Sequence, residues 1–386
     1  MRKKLSAVIA HALHDAGVLV ATHVPGYGAS EVFSEYCELS NKELPISFNE
    51  EVAYSIAHGA SLVGGRAASL MKVHGFLKAC NSVSDSLYAG TTAGFVTVIF
   101  DDPQGTHSDS ILDAIAALEG IGIPHRIGTA HTLYQDILRC FAESERFQIP
   151  YALLVDSDEL QQLVELESRC FSAYPNPPYL RDITQHVLCP CFSAYQREVL
   201  AAKRRCADWT RLQTPAIPHI PQSLPERWKP VAESYAPLFS VFQSLRGAIV
   251  TGDTGVSSLF AFPPYNCVDI ATYMGGSIPL AIGAFMAGFD DVWALTGDFS
   301  FIAAGQLGLP EAVQRHIPLK IVLFYNGTAE TTGGQPIPAG TLERSIRGYE
   351  RFVRYLNDPS DHRELERVLT EARDADELRI VIADYR

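Results

Sequence analysis

Residues 297–328 read G-D-F-S-F-I-A-A-G-Q-L-G-L-P-E-A-V-Q-R-H-I-P-L-K-I-V-L-F-Y-N-G-T. An apolar stretch, residues 292–296, runs straight into Gly297-Asp298; a helical segment follows, and a second apolar stretch, residues 319–325, ends on Asn326-Gly327-Thr328. This order predicts a βαβ unit whose parallel strands end on one edge of a sheet, where α/β proteins bind ligands. Asp298, Asn326 and the backbone oxygen of Thr328 would then converge as hard oxygen donors, suited to an octahedral Mg²⁺ completed by phosphate. Gly297 lets a phosphate approach the backbone, and the amides of Phe299 and Ser300 open the next helix at its positive end. The competing reading is an ordinary βαβ turn with an acidic residue at the helix start.

Composition narrows the choice. A chain of 386 residues predicts two or three domains. A hydrophobic content of 47% with 19% charged residues describes a globular protein with ample core. The net charge of −13 argues against a nucleic-acid or anionic-membrane partner, so a polyphosphate ligand would need a metal and local amide donors. The eight cysteines include no C-x-x-C pair, which excludes a zinc ribbon or ferredoxin cluster. Cys189-Pro190-Cys191, the one tight pair, reads as packing or loop. Free thiols predict the cytoplasm. The N-terminus reads as an amphipathic helix rather than a signal peptide, because His11, His14 and Asp15 interrupt its apolar run. Residues 275–289 are too few to span a bilayer and read as a buried helix.

Outward from the opening stretch, residues 18–24, 68–73, 94–100 and 149–155 read as buried parallel strands. Helices are expected from Ser30 through Leu39, from about residue 51 onward, and over residues 109–119; residues 44–51 read as a short strand ending on Asn49-Glu50. This alternation predicts a doubly wound α/β domain over residues 1–165. Residues 166–240 read as a proline-rich connector, since nine of the 23 prolines lie between residues 171 and 230; Lys203-Arg204-Arg205 within it reads as a solvated face. A second alternation, beginning from Gly247 with A-I-V-T-G-D-T-G and continuing through strands at 268–273, 292–296, 319–325 and 379–385, predicts another such domain over residues 241–386.

The 297–328 stretch resembles the diphosphate-binding motif of thiamine diphosphate (ThDP) enzymes, G-D-x followed by N-x-T or N-N. That resemblance implies two doubly wound domains of the ThDP-binding fold, the first holding the pyrimidine and the second the diphosphate and Mg²⁺, with Asp298, Asn326 and Thr328 as metal ligands. It also implies a carboxylate on the cofactor's pyrimidine ring. N-E-E-V-A-Y-S-I-A-H-G-A-S at residues 49–61 resembles the family's N-E-x-x-A-x-x-x-A-x-G and assigns that role to Glu50. A Glu at a helix start otherwise serves the helix dipole, and Glu51 is the adjacent alternative, with the spacing to Ala53 and Gly59 favouring Glu50. In A-T-Y-M-G-G-S at residues 271–277, Met274 would wedge the cofactor into its bent form, the Thr272 carbonyl would take its amine, and Gly275, Gly276 and Ser277 would approach the diphosphate. Gly297, Phe299 and Ser300 would flank it, and Thr251, Asp253, Thr254 and Gly255 resemble a further phosphate turn.

Two subfamilies share the likeness. P-P-Y-N-C-V-D at 263–269, M-G-G-S-I at 274–278, G-D-F-S-F at 297–301 and D-D-P-Q-G-T-H-S at 101–108 look like the catalytic subunit of indolepyruvate ferredoxin oxidoreductases, whose ferredoxin-type cysteines this sequence lacks. N-G-T-A-E-T-T-G-G-Q-P at 326–336 is similar to phosphonopyruvate and sulfopyruvate decarboxylases, although no Arg pair for a second anionic group stands out. His23, His74 and His107, at or beyond strand ends, are candidates to line the cavity and relay protons, His74 the strongest of them. The implied activity is ThDP- and Mg²⁺-dependent decarboxylation of a small-molecule 2-oxo acid by ylid and enamine chemistry. The alternative is an oxidoreductase subunit passing electrons to a separate iron–sulfur partner. Either implies a homodimer or tetramer with the cofactor at a subunit interface, without nucleic acid or membrane.

Overall fold

The computed structural model describes residues 2–166 and 176–386, which fall into two compact units. The first comprises Met1–Leu180 with Val199–Thr210, the second Arg181–Glu198 with Arg211–Arg386. Both are doubly wound α/β folds built on an all-parallel sheet.

In the first unit the sheet order is Val20–His23, Ala67–Lys72, Phe95–Asp101, Tyr151–Asp156, His125–Ile127. The three central strands are buried along nearly their whole length, which explains their continuous apolar runs. The helix Glu50–Leu62 packs on this sheet and is buried from Val52 to Leu62; Ala53, Ala57, Gly59 and Ala60 keep its surface small enough for close approach. The Asn49 side chain starts it by accepting a hydrogen bond from the Val52 amide at 3.2 Å.

In the second unit the order is Val353–Leu356, Arg379–Asp384, Lys320–Tyr325, Val292–Gly297, Ile249–Gly252, Ile270–Ala271. The chain leaves Ile249–Gly252 first to one side and then returns to the other. The order therefore reverses beside the strand ends at Gly252, Ala271 and Gly297, the position at which open α/β sheets form a ligand crevice. A buried aromatic cluster, with Phe239 stacked on Phe260 at 3.5 Å and Phe242 edge-on to Trp293, fixes the opposite layer.

Asp269 ties this sheet together. One carboxylate oxygen accepts from Arg181 Nε at 2.9 Å; the other accepts from the Val250 amide at 2.7 Å and from Arg246. Asp269 is 1% exposed, so Asp269→Ala would leave two guanidinium groups without their counter-charge and is expected to cost about 3 kcal/mol or more, read from urea denaturation. A loss below about 1 kcal/mol would show the cluster to be dispensable.

Several expectations are corrected. Residues 44–49 form no strand: they run as irregular chain, held to the sheet by the Ser47 amide donating to the His23 carbonyl at 2.8 Å. The helix expected over 109–119 is Ala114–Ile121, started by the Asp113 side chain. Within the stretch expected as connector, residues 167–175 lie outside the described residues; the remainder holds the helices Ile183–His186 and Ser193–Arg204 and the first turns of Lys229–Leu245. Pro230 stands in the first turn of that last helix, where a missing N–H costs nothing. Lys203 is not on a solvated face: it is 2% exposed and donates to the Gln148 carbonyl at 3.0 Å, satisfying the chain just beyond the helix Leu133–Phe147. Among the described residues no helix is long and apolar enough to cross a membrane.

Candidate functional site

In the second unit, strand Val292–Gly297 delivers Asp298 to the first position of the helix Asp298–Ala303, and strand Lys320–Tyr325 delivers Asn326 beside it. Their register pairs Gly297 with Phe324, so the two turns leave the sheet side by side. Asp298 Oδ2 accepts from the Gly327 amide at 2.7 Å, and Oδ1 accepts from the Phe299 amide at 2.8 Å. Asn326 Oδ1 accepts from the Thr328 amide at 3.0 Å, while its Nδ2 donates to Glu330 at 2.8 Å. The structure thus brings together the three residues expected to hold a metal. Burial pushes the Asp298 carboxyl above the usual range, against hydrogen bonds that pull it down, and Glu330 adds a second acid. An acid-rich set of hard oxygen donors suits a divalent cation such as Mg²⁺. The Phe299 amide, expected to face phosphate, is engaged by Asp298 instead.

Around this turn the backbone is open. A Cβ at Gly297 or at Gly255 (φ 134°) would meet nothing within 4 Å, which leaves room for a ligand against the main chain. Gly275 has φ 87°, and a Cβ there would lie 2.8 Å from the Gly305 amide nitrogen, so the turn requires glycine. Met274 between these turns is 39% exposed and Phe299 is 43% exposed; neither is core. Thr272 Oγ1 is buried without a hydrogen-bond partner. Thr254 is exposed and Ser300 is buried in the helix.

Thr251 and Asp253 take a different place from the one expected. Thr251 Oγ1 donates to the Ser277 carbonyl at 2.7 Å; Asp253 accepts from the Ser277 amide at 2.9 Å and from Thr296 Oγ1 at 2.6 Å. Both side chains bond within the protein, pinning the 271–277 turn to two strands. Burial raises the Asp253 carboxyl to about 6 from 3.8. Because the folded value is the higher one, the contribution to stability is complete below about pH 4 and is lost as pH rises through 6. Asp253→Asn, which can keep both hydrogen bonds, is therefore expected to gain about 3 kcal/mol on the wild type between pH 4 and pH 7. Parallel stability–pH curves for the two proteins would contradict this.

In the first unit, Glu50 occupies the first position of its helix, and its Cγ fills the space that a Cβ on Gly75 would need, 2.6 Å away. Lys78 Nζ lies 2.9 Å from Oε2, off the hydrogen-bonding direction, so the contact is an ion pair. Glu51, the neighbouring alternative, is bound by Asn81 at 3.2 Å and raised by burial. The three histidines differ sharply. His23 is buried and stacked on Phe33 at 4.1 Å, and burial lowers it to about 4, so it is neutral at pH 7. His74 Nε2 is 2.9 Å from Ser110 Oγ, and the exposed His107 ring stacks on Tyr27 at 3.6 Å. Lys72 links these loops, donating to the His107 carbonyl at 2.7 Å and to Ser108 Oγ at 2.6 Å.

Lys72 as an organiser, Glu330 and Tyr235, whose hydroxyl lies 3.3 Å from Asn326 Nδ2, were not expected from sequence. Lys72 alone left a signal, as a cation ending an apolar strand.

Residues 253–381 match the family model "Thiamine pyrophosphate enzyme, C-terminal TPP binding domain". Subunit IorA of indolepyruvate oxidoreductase from Archaeoglobus fulgidus is 32% identical over 153 residues, 38% of this chain and 25% of that protein. The same subunit from Methanothermobacter marburgensis is 35% identical over 86 residues, 22% of this chain and 14% of that one. The matched segments thus span a quarter or less of these relatives. Among solved structures, the ThDP-dependent 4-hydroxybenzoylformate decarboxylase of Rhodococcus jostii superposes with a TM-score of 0.66 at 14% identity, covering 100% of this chain and 99% of that one. Benzoylformate decarboxylase from Polynucleobacter necessarius gives 0.65 at 12% identity, covering 99% and 98%. The second unit therefore resembles a thiamine-pyrophosphate-enzyme C-terminal domain over residues 253–381, and the chain shares the fold of these solved ThDP-dependent enzymes.

Proposed function

We propose that the chain is a ThDP- and Mg²⁺-dependent enzyme that decarboxylates a 2-oxo acid. The observation that carries the reading is the oxygen-donor turn in which Asp298 and residues 326–328 are locked together at the sheet's reversal point. Asp298, Asn326 and the Thr328 carbonyl would hold the metal, and the open backbone at Gly255 and Gly297 would take the diphosphate. The bound cofactor supplies the carbon nucleophile and electron sink for cleavage of the C1–C2 bond. Glu50 would hold a proton at the pyrimidine ring nitrogen, with Lys78 balancing its charge. Met274, exposed at a strand end, would shape the cofactor, and His74 and His107 would handle protons on the substrate side. Neutral His23 would act only through hydrogen bonding. The exposed apolar side chains beside the turn support a homodimer in which the cofactor is held at the subunit interface.

The IorA relatives favour a second reading, an oxidoreductase subunit that passes electrons to a separate partner. Incubating the protein with ThDP, Mg²⁺ and a panel of aliphatic, aryl and anionic 2-oxo acids separates the two. Release of CO₂ and aldehyde without an electron acceptor is the expected result. Turnover seen only with a viologen and coenzyme A would replace the decarboxylase with the oxidoreductase.

A further inference from the structure

The turn Cys189-Pro190-Cys191 lies outside the site described above, and its geometry gives it chemistry of its own. The Cys189 carbonyl accepts hydrogen bonds from the Phe192 amide at 3.0 Å and the Ser193 amide at 3.1 Å. This closes a β-turn with Pro190 at its second position, where a fixed φ is favoured, and leads directly into the helix Ser193–Arg204. The turn sets the two thiols face to face, with Sγ atoms 2.8 Å apart. They differ in access: Cys189 packs against the core of the second unit, whereas Cys191 is exposed. On the strand side the Leu188 amide donates to the Ala271 carbonyl at 2.7 Å, which tethers the start of the turn to a sheet strand.

We propose that Cys189 and Cys191 form a reversible dithiol–disulfide site whose co-reactant is a low-molecular-weight disulfide. Cys191, as thiolate, attacks one sulfur of the disulfide R–S–S–R, forming a protein mixed disulfide and releasing one R–S⁻. Cys189 then loses its proton and attacks the Cys191 sulfur, closing the Cys189–Cys191 bond and releasing the second R–S⁻. Two protein thiols are oxidised by two electrons, one small disulfide is reduced to two thiols, and both protons pass to solvent or to the departing thiolates.

The order of attack follows from the surroundings. The hydrogen bond from Cys189 lowers the Cys191 thiol below the ordinary range, whereas the same contact, then burial and the charge of Cys191, raise Cys189. Capping the Cys191 sulfur removes the first and last of those influences on Cys189 and frees it for the second step. The two sulfurs already lie within contact, 2.8 Å apart, and Pro190 limits the conformations they must search.

The test treats the purified full-length chain with oxidised glutathione, followed by peptide mass spectrometry. The expected product is a peptide two hydrogens lighter than the dithiol, carrying no glutathione and restored by dithiothreitol. Cys206, also exposed, serves as the control and should retain its glutathione. In Cys189→Ser the adduct at Cys191 should persist at least about tenfold longer than in the wild type. In Cys191→Ser, modification at Cys189 should fall about tenfold or more. A persistent adduct at Cys191 in the wild type, an unmodified pair while Cys206 reacts, or undiminished reaction of Cys189 in Cys191→Ser would each overturn the proposal. None of these outcomes depends on the activity proposed above.

Discussion

Glu50→Gln should bind ThDP within about threefold of the wild type and lose about 10²- to 10⁴-fold of its cofactor C2-proton exchange and turnover. Gln preserves the side-chain volume that fills the space beside Gly75, so the helix start and the local packing survive. What disappears is the negative charge facing Lys78 and the acceptor able to share a proton with the pyrimidine nitrogen. Binding and exchange therefore separate, which a folding defect could not produce. Glu51→Gln is the matched control: its carboxylate is already engaged by Asn81 and raised by burial, so exchange should stay within about threefold. Measured by NMR of the cofactor proton, loss in the Glu51 variant with retention in the Glu50 variant would move the proposed role to the neighbouring residue.

Asp298→Asn is expected to lower metal-dependent ThDP affinity by about 100-fold or more, because altering mere supporting partners of a metal ligand already costs ~10–100-fold. The same substitution removes a charge that burial disfavours but leaves either the Gly327 or the Phe299 amide facing an Nδ2 donor, so the ligand-free protein is expected to lose about 1–3 kcal/mol at most and to stay folded. The loss of affinity is thus predicted in a protein that is still folded. A variant that binds ThDP normally in Mg²⁺ would show that the turn is only a βαβ connection. One that loses affinity because it has melted would show that the Gly327 and Phe299 hydrogen bonds matter chiefly to the fold.

Contiguous features were legible in the sequence. Strand, turn, helix and strand follow one another in residues 292–328, so their pattern alone juxtaposes Asp298 with Asn326, and the structure places them together. The two all-parallel sheets announced themselves through apolar runs that alternation could not explain. What was hidden depends on direction or on distant partners. Thr251-Gly252-Asp253-Thr254-Gly255 has the same letters whether its side chains face a ligand or the protein, and burial turned Thr251 and Asp253 inward. Tyr235 reaches Asn326 from a helix that begins among prolines, and the prolines made that region look like linker. Lys203 sat in a basic triplet that suggested solvent until the fold placed it against the Gln148 carbonyl. Residues 44–49 alternate like a strand yet run as irregular chain, with the Ser47 amide on the His23 carbonyl.

The central claim, that the 297–328 turn is a metal–diphosphate site, is tested most directly by calorimetric titration of the wild-type chain with ThDP, in Mg²⁺ and again in excess EDTA. Saturable binding of one ThDP per chain in Mg²⁺, weakened at least about 100-fold by EDTA, is the predicted result. No binding in either buffer, or equal affinity in both, would contradict it.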